Sequence, residues 1–443
     1  MQMLRRPWLW VLALAVVLLI GVVACGGEEK EISLLVSKQT YEPGAPDLSS
    51  QIINIQDAGA EVVVLGAVPT SAAAAIVAAN TQGYSPQWVV SYVNAHTSLA
   101  ASIGGGTDPE QLADGFALLD GTIADNYQLD AVGDKDDPAM VEHARIMEKY
   151  SGPTLSTLSV YGQSLAELTV EALSGACDNL TREGLLQSVE SIQNFHPSVF
   201  LPGINVSFSA TDHRAIEALQ PVRYEADGTL TALGDLISVE TPAGEAPAGE
   251  ETPAADVTPG PGVTDTEIKL GHTNDLAGTG GTPYGILTTA LQAYFKKVND
   301  EDGGVCGRKI TLIAEDDQYA PGLALEKTRK LVEQDKVLAI VGALGTAAHL
   351  GAVDYLNDPN GDGDTSDGIP DLFVSTGYTG WADYETWPWT FGYIPDYASD
   401  GKILATYINE NFAGQKVGIL YQNDPFGQDY LNSIEENLAK SGE

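Results

Sequence analysis

The clearest chemical spacing in the chain is acidic. Asp358, Asn360 and Asp362 put side-chain oxygens at positions 1, 3 and 5 of one loop, with Gly363 at position 6 and Asp364 next. Hard cations take oxygen sets of this kind, so the loop is a candidate for a structural calcium ion. Position 12 is Ile369 instead of the bidentate Glu of a complete EF-hand, and a solvated acidic loop is the plain alternative. Elsewhere the spacing argues against catalysis. There is no GxSxG or HExxH run, and the six His are scattered. His196 and His213 lack HxxxH spacing, so no metal is assigned to them. The three Cys lack paired CxxC spacing, which excludes a zinc module.

Composition narrows the partners. Sixty-one acidic residues against 22 basic ones in 443 give a formal charge of −39. Neutralising phosphates requires clustered Lys and Arg, so nucleic acid is not expected as a partner. The same charge disfavours electrostatic docking on anionic lipid. With 44% hydrophobic and 19% charged residues the chain can build real cores. Its length allows two or three compact units.

The first residues set the expected compartment. Arg5 and Arg6 precede an apolar stretch from Trp8 to Ala24, which ends in Val22-Val23-Ala24-Cys25. A basic head, an apolar run and a small residue before the break are the parts of an export signal. Cys25 directly after them resembles the bacterial lipobox, in which the thiol is lipidated. Residues 1–24 are therefore expected to be a signal peptide, and 25–29 a tether lipidated at Cys25. An uncleaved membrane helix is the alternative. Either way the rest of the chain lies outside the cytoplasm, held to the cell membrane.

Residues 240–262 are rich in Pro, Ala, Gly, Glu and Thr and cannot form a core, so they read as a linker. It separates 30–239 from 263–443. Both parts alternate short apolar runs with helical patterns. Strands are expected at 32–36, 61–65, 87–90, 267–271, 309–314, 337–341, 372–375 and 417–421. Helices are expected at 48–57, 71–79, 321–334 and 426–440, with a further helical spacing from Leu287 to Val298. Strands alternating with helices predict an α/β fold with parallel sheets covered on both faces.

The run VTDTEIKLGHTNDLAG from Val263, then LVEQDKVLAIVGALGT, LFVSTG and KVGILYQNDPFGQDYLNSI, resembles the start of a mature solute-binding protein. The family is the type I periplasmic binding protein of the branched-chain amino acid and amide (leucine-binding-like) class. YEPGAPDLSSQIINIQDAGAEVVVLG and LPGINVSFSATDHRA resemble that family's second half. The halves thus stand in reversed order: 30–239 matches the family's C-terminal half, and 263–443 its N-terminal half. Two arrangements follow. A circular permutant would dock 263–443 onto 30–239 and close one receptor, the linker reaching roughly 25 Å to join the old ends. A fragment of a tandem array would leave sheet edges and apolar faces uncovered.

The resemblance implies two Rossmann-like lobes joined by a hinge, with the ligand caught between them. It also implies site residues. The turn Gly342 to Thr346 would hold a ligand carboxylate, with Gly345 and Thr346 central, although Thr346 could be a plain helix cap. Tyr378 and Thr379 match the next contact loop, beside Trp381, and Tyr284 matches the aromatic of the first loop. Phe426 sits where an aromatic closes over the ligand. Tyr92 falls near the position where amino-acid binders carry an acidic residue for the amine. That departure leaves an ammonium without its partner unless Asp424 substitutes, so amides, urea-like compounds and aromatic acids stay open. Cys177 and Cys306 fall in one lobe of the family, where a disulfide is permitted.

The expected function is that of a non-enzymatic solute-binding lipoprotein. It would deliver an amino acid, amide or related carboxylate to an ABC permease by hinge closure. An extracellular ligand sensor and a non-functional fragment are the alternatives.

Overall fold

The computed structural model describes residues 34–94, 97–152, 156–238, 258–278 and 284–439. The stretches expected as signal peptide, lipidated Cys25 and most of the linker lie outside these residues. The strands in chain order are β1 (Leu35–Tyr41), β2 (Val62–Gly66), β3 (Gln87–Val90), β4 (Ile123–Asn126), β5 (Ala218–Tyr224), β6 (Leu230–Ala232) and β7 (Ile237–Ser238). They continue with β8 (Glu267–Asn274), β9 (Lys309–Asp316), β10 (Ala339–Val341), β11 (Asp371–Val374), β12 (Thr390–Gly392) and β13 (Val417–Gln422). The helices are α1 (Ser49–Asp57), α2 (Pro69–Gln82), α3 (Thr97–Gly104), α4 (Pro109–Leu119), α5 (Pro138–Tyr150), α6 (Thr157–Gly175) and α7 (Arg182–Glu190). In the rear part they are α8 (Gly285–Lys297), α9 (Pro321–Arg329), α10 (Thr346–Leu350), α11 (Val353–Asn357), α12 (Tyr397–Asn411) and α13 (Pro425–Asn437).

Two sheets result. One has eight strands in the order β1-β13-β2-β3-β4-β5-β6, with β7 also paired to β5. Its strands from β1 through β4 are parallel, and β5 to β7 turn antiparallel. The other has five parallel strands, β12-β11-β10-β8-β9. Sequence pattern explains the covering. In β2, Val62 and Val64 pack with Leu404, Ile408 and Ile434 on one face, while Val63 and Leu65 pack with Ile52, Ile55 and Ile76 on the other. That is the two-residue alternation of a pleated strand buried on both sides.

Front and rear parts interdigitate in both layered bodies. Strand β13 of the rear part lies between β1 and β2 of the front, with Val417 paired to Leu35 on one side and Val62 on the other. Conversely, α6 of the front part packs along α8 in the body built on the five-stranded sheet. The helices approach closely at Gly162. A Cβ there would stand 2.5 Å from the Leu287 carbonyl oxygen and 2.8 Å from the Ala290 Cβ. A disulfide joins Cys177, just past α6, to Cys306, before β9, with their Cα atoms 5.3 Å apart. Among the described residues the chain passes between the two bodies three times: from β4 to α5, from α7 to β5, and from β12 to α12.

The expected strands stand, β3 with the expected ends and the others with shifted ones. The largest shift is at the edge, where β1 starts at Leu35 and continues through Lys38 and Gln39 to Tyr41. Polar residues there hide the strand from an apolar-run reading, but pairing with β13 sustains it. Helices α3 to α7, α11 and α12 and strands β4 to β7 and β12 were not anticipated. No described helix is long and apolar enough to cross a membrane.

Candidate ligand-binding cleft

Between the two bodies lies a cavity of about 80 Å³. Its walls come from loops beyond the carboxyl ends of the strands and from the first turns of helices, where such sheets place ligands. Local capping sets each wall residue. Helix α6 starts with a reciprocal cap: the Ser156 hydroxyl accepts the Ser159 N–H, and the Ser159 hydroxyl accepts the Ser156 N–H. That start puts Thr157 and Tyr161 in the wall. Asp396 caps α12 by accepting the Ser399 N–H at 2.8 Å and so presents Tyr397. Asp424 caps α13 by accepting the Gly427 N–H at 3.2 Å, Pro425 opens the helix, and Phe426 faces inward.

The turn after β10 carries Gly345 at φ +96°, where a Cβ would meet the Tyr319 ring at 2.5 Å. This backbone and close approach require glycine. Thr346 follows, buried, its hydroxyl bonded to that of Thr376, which is 3.1 Å from the Tyr397 hydroxyl. Tyr92 stacks on Tyr397 with centroids 6.4 Å apart, and its hydroxyl donates to the Pro395 carbonyl at 2.6 Å. Tyr161 donates to the Ser375 hydroxyl at 2.7 Å. Burial pushes the phenols of Tyr92, Tyr127 and Tyr319 well above their ordinary value, so each keeps its proton.

Of the expected site residues, Tyr92, Tyr284, Gly345, Thr346 and Phe426 line this one cavity. The others stand apart. Tyr378 packs edge-on against Trp381 at 5.1 Å, outside the lining. Thr379 gives its backbone N–H to the Asp429 carboxylate at 2.9 Å, which ties the rim of one body to α13 of the other. Trp381 is buried and donates its indole N–H to the Thr376 carbonyl. Asp424 is also outside the lining. One of its oxygens takes the Tyr319 hydroxyl and the Gln422 amide, and the other caps α13. The sequence reading missed Tyr127, Tyr161, Tyr319 and Tyr397, all in the wall. Tyr319 stands three residues past β9 and Tyr397 opens α12, so strand ends and helix starts were the available signal.

The acidic loop is held by hydrogen bonds to its own backbone. Asp358 accepts the N–H groups of Gly361 and Gly363 at 2.8 and 2.9 Å, Asn360 that of Asp362, and Asp364 that of Ser366. Its oxygens are turned onto their own backbone, as in Asx turns. Among the described residues no group of three or more His, Cys, Asp or Glu side chains is arranged to hold a metal.

A family model described as a periplasmic binding protein matches residues 24–229 and 267–442. A curated amino acid binding protein of Pseudomonas aeruginosa is 24% identical over 140 residues, which are 32% of this chain and 35% of that protein. Among solved structures, a possible leucine/isoleucine/valine-binding protein from Rhodopirellula baltica is 23% identical. That match has a TM-score of 0.33 and covers 40% of this chain and 46% of the other. A branched chain amino acid ABC transporter from Thermus thermophilus with bound valine is 18% identical with a TM-score of 0.37, covering 44% of this chain and 50% of that one. A solute binding protein from Rhodopseudomonas palustris in complex with 3,4-dihydroxy benzoic acid is 23% identical with a TM-score of 0.31, covering 39% and 43%. The chain thus spans about a third of the curated relative and half or less of these structures.

Proposed function

The chain belongs to the periplasmic binding protein family, whose members bind solutes and are not enzymes, and from that premise we propose that it captures one small molecule by hinge closure outside the cytoplasm. The captured solute is handed to an ABC importer. The observation that carries this reading is the shared cavity: Thr346 and Tyr319 from one body and Phe426 and Tyr92 from the other line the same space. A ligand there touches both bodies at once, so it favours the closed arrangement by its differential contacts. Closure then offers a permease a surface that the open form lacks.

Two finer readings accompany it. The order of the two parts is a circular permutation of the family's order, supported by β13 seating between β1 and β2 and by α6 packing on α8. The sequence Val22-Val23-Ala24-Cys25 supports a lipid anchor at Cys25, which would hold the receptor near its importer. A thermal-shift screen against amino acids, amides and aromatic compounds tests the central reading, because a ligand bound only by the folded state raises its stability. A hit should also reduce the radius of gyration in X-ray scattering. A folded protein that responds to no member of the panel would reject the reading.

A further inference from the structure

Resting on the solute-binding reading above, the composition of the cavity wall narrows the ligand class. Six tyrosines and Phe426 surround the space, and no Asp, Glu, Lys, Arg or His lines it among the described residues. A zwitterion entering this space would lose water around its ammonium and find no carboxylate in return. Desolvating an unpaired charge costs several kcal/mol. Asp424, the carboxylate nearest in sequence to Phe426, already receives Tyr319, Gln422 and the Gly427 N–H.

Two polar atoms in the wall point to what does bind. Gln128 and Thr157 both line the cavity and are almost fully buried, yet Gln128 Oε1 and Thr157 Oγ1 have no hydrogen-bond partner among the described residues. The amide nitrogen of Gln128 is turned to the Thr157 carbonyl at 3.4 Å, which leaves Oε1 as the free acceptor. Buried polar atoms without partners are rare and costly. A ligand N–H or O–H at this point would satisfy the acceptor, and the threonine hydroxyl can donate back to a ligand carbonyl. The aromatic walls suit a flat ring by stacking and edge contacts.

We propose that the cleft selects an uncharged, planar aromatic compound bearing an N–H or O–H donor, read by Gln128 and Thr157, and rejects zwitterionic amino acids. Calorimetric titration with benzamide, benzoate and L-phenylalanine tests this, since the three share a ring and differ in charge. Benzamide should bind at least tenfold more tightly than either charged compound. Gln128→Leu, with melting checked to confirm folding, should weaken benzamide at least tenfold, as should Thr157→Val should the first variant not fold. Benzoate or L-phenylalanine binding as tightly as benzamide overturns the inference but leaves the solute-binding reading standing. Unchanged benzamide affinity in a folded Gln128→Leu protein also overturns it. No heat from any of the three, together with a flat response to the wider panel, sinks both.

Discussion

The hydroxyl of Tyr319 donates to Oδ2 of Asp424 at 2.9 Å, and so bridges the two bodies across the mouth of the cleft. Tyr319 follows β9 of the five-stranded sheet, whereas Asp424 follows β13 of the eight-stranded one. Gln422 steadies the pair, its amide 3.0 Å from the Tyr319 oxygen and 2.6 Å from Asp424. Burial and the neighbouring carboxylate both hold the Tyr319 phenol protonated, so it acts as donor throughout the neutral range. A hydrogen bond to a charged acceptor contributes about 1.5–3 kcal/mol. It exists only when the bodies are together, so it biases the hinge toward closure. Tyr319→Phe should weaken ligand binding roughly 10- to 150-fold with little change in unliganded melting. Unchanged affinity by calorimetry would show that the bridge carries no closing energy.

Gly345→Ala should be more damaging than its size suggests. The residue sits at φ +96°, and the added methyl would meet the Tyr319 ring at 2.5 Å. Backbone strain costs about 1–3 kcal/mol, and displacing Tyr319 also breaks the bridge to Asp424. Both melting temperature and affinity should therefore fall in this variant. Normal values for both would show that the turn adapts without cost.

How much of this could be read beforehand follows from what each residue answers to. Strand β3 carries its reason locally: Trp88, Val89 and Val90 are apolar and buried. Thr346 and Phe426 were marked by the family resemblance, at places where the chain leaves a strand through a turn. Tyr161 was not legible. It lies on α6, and it reaches the cleft only because α6 of the front part packs on α8 of the rear. Tyr378 and Thr379 stand outside the lining for the converse reason. Their loop is of the expected type, but Trp381 turns inward beneath it and draws Tyr378 away from the cavity. Long-range docking decides such cases, and no local pattern encodes it.

The disulfide should stabilise the docked arrangement. It joins residues 129 apart in sequence and ties the end of α6 to the loop before β9. On chain-entropy arithmetic a loop of that length is worth roughly 3–5 kcal/mol. Reductant should lower the melting temperature of the wild-type protein by several degrees. The double variant Cys177→Ser/Cys306→Ser should melt lower and be indifferent to reductant. Equal melting with and without reductant would mean that the bridge contributes nothing.

The pH dependence of stability should reveal two opposed groups of buried residues. Asp125 and Asp400 are both fully buried in the body built on the eight-stranded sheet, and Tyr430 donates to Asp400. Burial raises both carboxyls, and the Asp400 charge raises Asp125 further, so the pair retains a proton above the ordinary carboxylate range. The folded state then holds a proton the unfolded chain has released, and stability falls as pH rises from about 4 through the folded value. His272 and His213 act in the other direction. Burial lowers each to about 4, below the usual 6.5, so stability falls as pH drops from 6.5 toward 4. In the window between 4 and 6.5 the two groups therefore act in opposite directions. Asp125→Asn removes one of them: it should stabilise the protein at pH 7.5 by roughly 1–3 kcal/mol and leave a steeper loss on acidification. Urea unfolding at pH 4.5, 6.0 and 7.5 reads both effects. A variant less stable than wild type at pH 7.5 would show instead that the Asp125 carboxylate is satisfied in its ionised form.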